Sequence, residues 1–203
     1  MFVKNHLNRK KILFTSVLGP YGVDTHRSRY KNPMSLLANQ VTRGQKYYTV
    51  QMAQRTFAFD LFAVNINADV AILDFPTEKH LIKILKENNW DRIGAASIIP
   101  NFNALLDTCS IIRQYQADTP IDIGGHIAND DDVLQDFILQ FLKLNPHEKF
   151  NVYYPKFEKK ISGLFDINAW LKEIGAHGPA ITFIRRDGLE YYSQLPGIGL
   201  INP

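Results

Sequence analysis

The chain has 203 residues, enough for one full core or for one domain with a small appendage, and too few for two large domains. Hydrophobic residues make up 45% against 21% charged, so there is apolar surface enough to offset chain entropy, which excludes wholesale disorder. Basic residues outnumber acidic ones by only 23 to 20, and the short groups Lys4, Arg9, Lys10, Lys11 and Arg27, Arg29, Lys31 read as solvated surface, so nucleic acid is not an expected partner.

The first residues, Met1 to Lys11, are basic, but no apolar block with a small-residue cleavage site follows them. No apolar run along the chain is long enough to cross a bilayer, and cytoplasmic residence without a membrane partner is the expectation. Ile12 to Val17 is a compact apolar run stopped by Gly19-Pro20, the pattern of a buried first strand. The crossover from Leu18 to about Gln54 is far longer than usual, a length associated with functional loops. Within it Asn32-Pro33, followed by Met34, Leu37, Ala38 and Val41, reads as a short capped helix. Phe57 to Ile66 is then the helix of that crossover.

A second strand runs from Asp69 to Phe75-Pro76, and Thr77 caps a helix with Leu81, Ile84 and Leu85 on its apolar side. Arg92 to Ile99 is the third strand, ended by Pro100; the next helix carries Leu105, Cys109 and Ile112, with Asn101 or Asn103 as its cap. Pro120 to Ile123 runs as a fourth strand into Gly124-Gly125. Asp130, Asp131 and Asp132 open a further helix with Val133, Phe137 and Phe141 as its stripe. Strand-helix units in this succession predict an α/β protein, a flavodoxin-like (Rossmann-like) doubly wound parallel sheet of about five strands. This domain is expected over 11–145. Residues 146–203 read as a small α+β extension: an edge strand at Phe150 to Tyr154, a short helix at Ile167 to Ile174, and a hairpin over Ile181 to Tyr192 turned at Asp187-Gly188. Pro196 to Pro203 reads as a linker toward a continuing chain.

In such a sheet, ligands bind beyond the carboxyl ends of the strands, near the point where strand order reverses. The loops there are Leu18 to Arg29, Ser97 to Phe102 and Gly124 to Asn129. They carry glycines that permit close backbone approach, hydrogen-bonding Ser97 and Asn101, and two histidines, His26 and His126. Each has a bland explanation: Gly124-Gly125 as a strand exit, Ser97 as a satisfied polar group, His126 as a cap on a carbonyl. Together, after different strands of one sheet, they describe a cofactor pocket. Several alternatives lack their motifs. There is no Gly-x-Gly-x-x-Gly, no phosphate loop and no Gly-x-Ser-x-Gly elbow, and Ser97 stands where a receiver domain would want its aspartate. Cys109, on an apolar helical stripe, reads as core.

The same loops carry a resemblance. The succession of Gly22-Val-Asp24-Thr-His26, Leu73-Asp-Phe-Pro76, Ser97-Ile-Ile-Pro100-Asn101-Phe and Gly124-Gly125-His126 resembles cobalamin-binding domains, in the version that precedes the catalytic domain of cobalamin-dependent radical S-adenosylmethionine enzymes. The likeness spans roughly residues 11 to 145. It implies that Gly22, Asp24, His26, Ser97, Pro100, Asn101, Gly124, Gly125 and His126 border the cofactor. His26 would then take the lower axial position on cobalt, Asp24 would orient it, and the nucleotide tail would enter beside the serine and the glycines. Tyr21, Phe102 and Ile127 would cover the corrin edge. The sequence departs from the family's Asp-x-His-x-x-Gly at Arg29, which stands in place of the glycine.

Those enzymes bind a four-iron cluster and S-adenosylmethionine through Cys-x-x-x-Cys-x-x-Cys in a downstream barrel. The chain has a single cysteine, so the iron-sulfur cluster and S-adenosylmethionine belong to a separate catalytic domain. The resemblance therefore implies a corrinoid-holding module that is not catalytic alone and serves methyl transfer by a radical enzyme partner. The alternative is a flavodoxin-like domain without cofactor that acts in protein interaction through its long Leu18 to Gln54 loop.

Overall fold

The computed structural model describes residues 9–18, 56–97, 101–153, 178–185 and 198–201. Seven strands, β1 (Lys11–Ser16), β2 (Asp69–Leu73), β3 (Arg92–Ala96), β4 (Ile121–Gly124), β5 (Phe150–Tyr153), β6 (Ile181–Ile184) and β7 (Ile198–Ile201), form one sheet in the order β2-β1-β3-β4-β6-β5-β7. Every pairing in it is parallel. Four helices, α1 (Phe57–Asn65), α2 (Glu78–Glu87), α3 (Phe102–Tyr115) and α4 (Asp131–Leu144), cover it.

Both faces of the central strands are buried, apolar toward α2, α3 and α4 and, on the other side, mixed with the polar Arg92, Asp122 and Thr182. On one face, Leu13, Ile93, Ile121 and Ile123 meet Leu81 and Leu85 of α2, Leu105, Cys109 and Ile112 of α3, and Leu134, Phe137 and Phe141 of α4. Aromatic rings knit its far side: Phe137 stacks on Phe141 and meets Phe183 edge-on, with centroids 5.7 and 5.6 Å apart. Burying each such ring contributes about 1.5–3 kcal/mol. On the opposite face Ile12 and Phe14 of β1 meet Phe59 of α1, whose ring lies 5.5 Å from that of Phe14. With α1 on one face and α2, α3 and α4 on the other, the sheet is doubly wound, a flavodoxin-like (Rossmann-like) α/β fold.

The helix ends are held by side chains. Asp74, just past β2, accepts from both the backbone N–H (2.7 Å) and the Oγ1 (2.8 Å) of Thr56 and so fixes the start of α1. Thr77 Oγ1 accepts from the His80 N–H at 3.1 Å and Asp130 Oδ1 from the Val133 N–H at 3.0 Å, as their positions ahead of apolar periodic runs require. At the other end of α2, Gln116 Nε2 donates to the Leu85 and Asn88 carbonyls at 2.7 and 2.9 Å. Among the described residues two ion pairs are buried on both sides. Arg92 Nη1 contacts both oxygens of Asp122 at 3.0 and 2.7 Å, and Arg113 grips Glu148 through Nε and Nη2 at 2.5 and 2.9 Å.

The strand count exceeds the expected five because residues beyond 146 add three strands to the same sheet. Phe150–Tyr153 is not an edge strand; it lies between β6 and β7. Ile181–Ile184 does not open an isolated hairpin but inserts in parallel between β4 and β5. Part of the presumed linker, Ile198–Ile201, is the edge strand β7. The expected helices near 34–41 and 167–174, and the turn at 187–188, lie outside the described residues. Among the described residues no helix is long and apolar enough to cross a membrane.

Candidate functional site

The chain leaves β1 toward β2 on one side, whereas β3 lies on the other, so the helices that follow β1 and β3 pack on opposite faces. The carboxyl ends of these two strands are therefore the point where strand order reverses, the place where open α/β sheets bind ligands, with β4 next in line. Cross-strand register aligns Ser16 of β1 with Ala96 of β3, and Ala96 with Gly124 of β4. Residues aligned in this way share a face of the sheet, so its carboxyl edge carries a row of small side chains on the α1 side.

The two glycines that end β4 differ physically. Gly125 has φ 93° and ψ −169°, a backbone region that only glycine populates readily. A Cβ on it would fall 2.3 Å from the Ser97 carbonyl oxygen and 3.2 Å from the Ser97 nitrogen. Gly125 is thus dictated by the close passage of two strand exits, which the Ser97 N–H to Gly124 carbonyl bond of 3.2 Å also joins. Gly124 has neither constraint. Its φ lies outside the left-handed region, and a Cβ there would meet no described atom within 4 Å. Its missing side chain leaves room at the edge of the sheet.

The neighbouring exits are firmly held. After β1, the buried Leu18 N–H donates to Thr108 Oγ1 of α3 at 3.1 Å, and Thr108 donates in turn to the Ala104 carbonyl at 2.7 Å. After β2, Phe75 adopts φ 46°, unusual for a bulky residue and more so before a proline. Its N–H donates to Ser16 Oγ at 2.5 Å, which ties the β2 corner to the end of β1. Thr15 Oγ1 adds a bond to the Leu73 carbonyl at 2.9 Å.

Of the residues singled out in the sequence, Ser97, Gly124 and Gly125 come together at this edge. Ser97 is buried and His126, on the 3-10 turn His126–Asn129, is exposed. Asn101 stands at the N-cap of α3, just before Phe102, but makes no capping bond with its side chain. Gly22, Asp24, His26 and Pro100 lie outside the described residues, as does Tyr21. Ile127 cannot cover a ligand edge: it is fully buried in the core beneath the turn, whereas Phe102 is partly buried and meets Phe137 edge-on at 6.0 Å. Among the described residues no three His, Cys, Asp or Glu side chains gather to hold a metal ion.

Sequence reasoning passed over Arg185. It follows β6 directly, which sets it beside the β4 exit, and it is buried. Its Nη1 pairs with Asp131 Oδ1 at 2.7 Å, and its Nη2 donates to the Asn129 carbonyl at 3.1 Å. The available signal was an arginine immediately after an apolar strand, at the end where ligands bind.

No protein-family model, curated protein or solved structure matches the chain. The residues of this edge can still be placed. Its described part brings Ser16, Ala96 and Gly124 into one row, with the Ser97–Gly125 contact beside them and the exposed His126 on the turn that follows. The space at Gly124, where no described atom lies within 4 Å of the position its Cβ would take, forms a slot at this edge.

Proposed function

We propose that the chain is a cobalamin-binding module that holds a corrinoid for a radical S-adenosylmethionine enzyme. The observation that carries this reading is Gly124. Neither backbone geometry nor packing among the described residues calls for a glycine there, yet the position sits where a resemblance to cobalamin-binding domains asks for room beside a nucleotide tail. The small row Ser16, Ala96, Gly124 and the tight Ser97–Gly125 contact are compatible with that use. Ser97, Asn101, Gly124, Gly125 and His126 would border the ligand, with Gly22, Asp24, His26 and Pro100 completing it from segments outside the described residues.

Bound cobalamin would supply a cobalt centre able to carry a methyl group for a partner enzyme. This chain's residues would bind the corrinoid, keep water from its buried side and orient its exposed face. With one cysteine, the module holds no four-iron cluster of its own, and S-adenosylmethionine chemistry falls to a separate catalytic domain.

The test is direct. Purified protein mixed with hydroxocobalamin and desalted should keep a red chromophore in one-to-one proportion. Colourless protein overturns the reading and leaves a cofactor-free, flavodoxin-like interaction domain in its place. The absorption spectrum of the complex should shift in His26→Ala if His26 ligates cobalt, and an unchanged spectrum removes His26 from the metal.

A further inference from the structure

We propose that Arg185 is the positioning residue of this site: from the end of β6 it fixes the turn that borders the Gly124 slot. The assignment deepens the corrinoid-binding reading and in that respect rests on it. The turn that follows Gly125, the 3-10 helix His126–Asn129, is closed by internal hydrogen bonds. The Ala128 N–H donates to the Gly125 carbonyl at 3.2 Å, and Asn129 Nδ2 to the same carbonyl at 3.1 Å. These bonds close the turn on itself, and its seating against the sheet and α4 comes from outside it.

Arg185 does this from two directions. One guanidinium nitrogen takes the Asn129 carbonyl and the other takes Asp131, the first residue of α4. Its own backbone N–H donates to the Tyr153 carbonyl at 2.9 Å, which anchors the arginine to β5. A planar, permanently charged fork can hold a carbonyl and a carboxylate in one fixed relation, as a lysine's single ammonium cannot. The insertion of β6 between β4 and β5 is what puts this fork within reach of the turn.

Arg185 is buried and its replacement risks the fold, so the working variants are Asp131→Ala and Asp131→Asn, at a side chain 47% exposed, with Arg185→Lys beside them. Amide hydrogen exchange of the ligand-free protein and hydroxocobalamin titration are measured together. Losing a charge-assisted bond should speed exchange at Ile127, Ala128 and Asn129 by roughly tenfold while Ile93 and Ile123 keep their rates, and should weaken hydroxocobalamin binding by roughly tenfold, with Asp131→Asn intermediate. Unchanged exchange at the turn, or a uniform rise across the sheet, overturns the assignment. Faster turn exchange with unaltered corrinoid affinity also overturns it, since the turn then does not serve the slot. If the wild-type protein takes up no hydroxocobalamin, the corrinoid reading falls, and locally faster exchange still supports Arg185 as the holder of the turn.

Discussion

Adjacent glycines at the end of β4 should respond to the same substitution in opposite ways. In Gly125→Ala, the new side chain must adopt φ near 93° with extended ψ, at a cost of about 1–3 kcal/mol. Its Cβ would also sit 2.3 Å from the Ser97 carbonyl oxygen, a backbone atom that cannot swing aside as a flexible side chain would. Separating the β3 and β4 exits to relieve that overlap costs about another 1–3 kcal/mol. The sum, about 2–6 kcal/mol, is a large part of the 5–15 kcal/mol typical of a folded protein. Gly124→Ala meets no described atom within 4 Å and needs no unusual φ. Restricting the unfolded chain at that position should leave stability unchanged or raise it by up to about 1 kcal/mol.

Urea unfolding followed by far-ultraviolet circular dichroism reads the first difference, and hydroxocobalamin titration the second. Gly124→Ala should fold as well as wild type and bind the corrinoid more weakly, and Gly124→Val should abolish retention through desalting. Gly125→Ala should lower the urea midpoint sharply. If Gly124→Val binds like wild type, the space beside Gly124 is not the ligand's. If Gly125→Ala is as stable as wild type, the argument from the Ser97 contact is wrong.

Further outcomes are expected at three other positions. Burial pushes the Asp122 carboxyl from its ordinary 3.8 up to about 6, against the pull of the Arg92 guanidinium. Since the folded value lies above the unfolded one, this contribution to stability is fully present below 3.8 and is lost as pH rises through 6. The urea midpoint of wild type relative to Asp122→Asn should therefore rise as pH falls from about 7 to about 4.5, and a fall over that window refutes the sign. Asp122→Ala, which strands the buried Arg92, should lose about 3–5 kcal/mol at neutral pH. Burial likewise raises the Cys109 thiol to about 12, so native protein should resist iodoacetamide near neutrality and react once unfolded in urea; rapid native labelling contradicts its place in the core. Thr108→Val leaves the buried Leu18 N–H without the hydroxyl it bonds at 3.1 Å and should cost about 1–3 kcal/mol, with Thr108→Ser recovering most of it. Equal unfolding midpoints for Thr108→Val and wild type would show that the β1 exit does not depend on α3.

The alternation of strands and helices up to Leu144 was legible because each unit carries its own local signals: an apolar run, a polar cap, then a 3.6-residue stripe. Thr77 and Asp130 do cap α2 and α4, and Leu81, Leu85, Phe137 and Phe141 are buried as their spacing implied. What failed was adjacency. Asp187-Gly188 between strand-like flanks is a genuine local cue for a hairpin, but periodicity says only that Ile181–Ile184 is extended, not which strands it will join. The parallel partners of β6 are β4 and β5, more than 25 residues away in sequence, and that choice is made by the core, where Phe183 packs against both Phe137 and Phe150. Short and glycine-containing, Ile198–Ile201 gave no periodic signal at all.

The candidate site divides along the same line. Gly124 and Gly125 stood out in the sequence as a pair, yet only backbone geometry separates them into one glycine required by the Ser97 carbonyl and one that no described neighbour requires. The local pattern at Arg185, an arginine just after an apolar strand, does not say what it holds, because its partners Asn129 and Asp131 become neighbours only through the placement of β6. Ser16 is a similar case: a serine ending a buried strand is unremarkable until its hydroxyl is seen to accept the Phe75 N–H and hold an aromatic residue at positive φ. Residues that touch a ligand tend to declare themselves by type, whereas those that hold the touching residues in place are ordinary until the fold assembles them. Substitutions at the edge of this sheet should therefore separate into two kinds: loss of corrinoid binding with the fold intact at Gly124, and loss of order around the slot at Gly125 and Arg185.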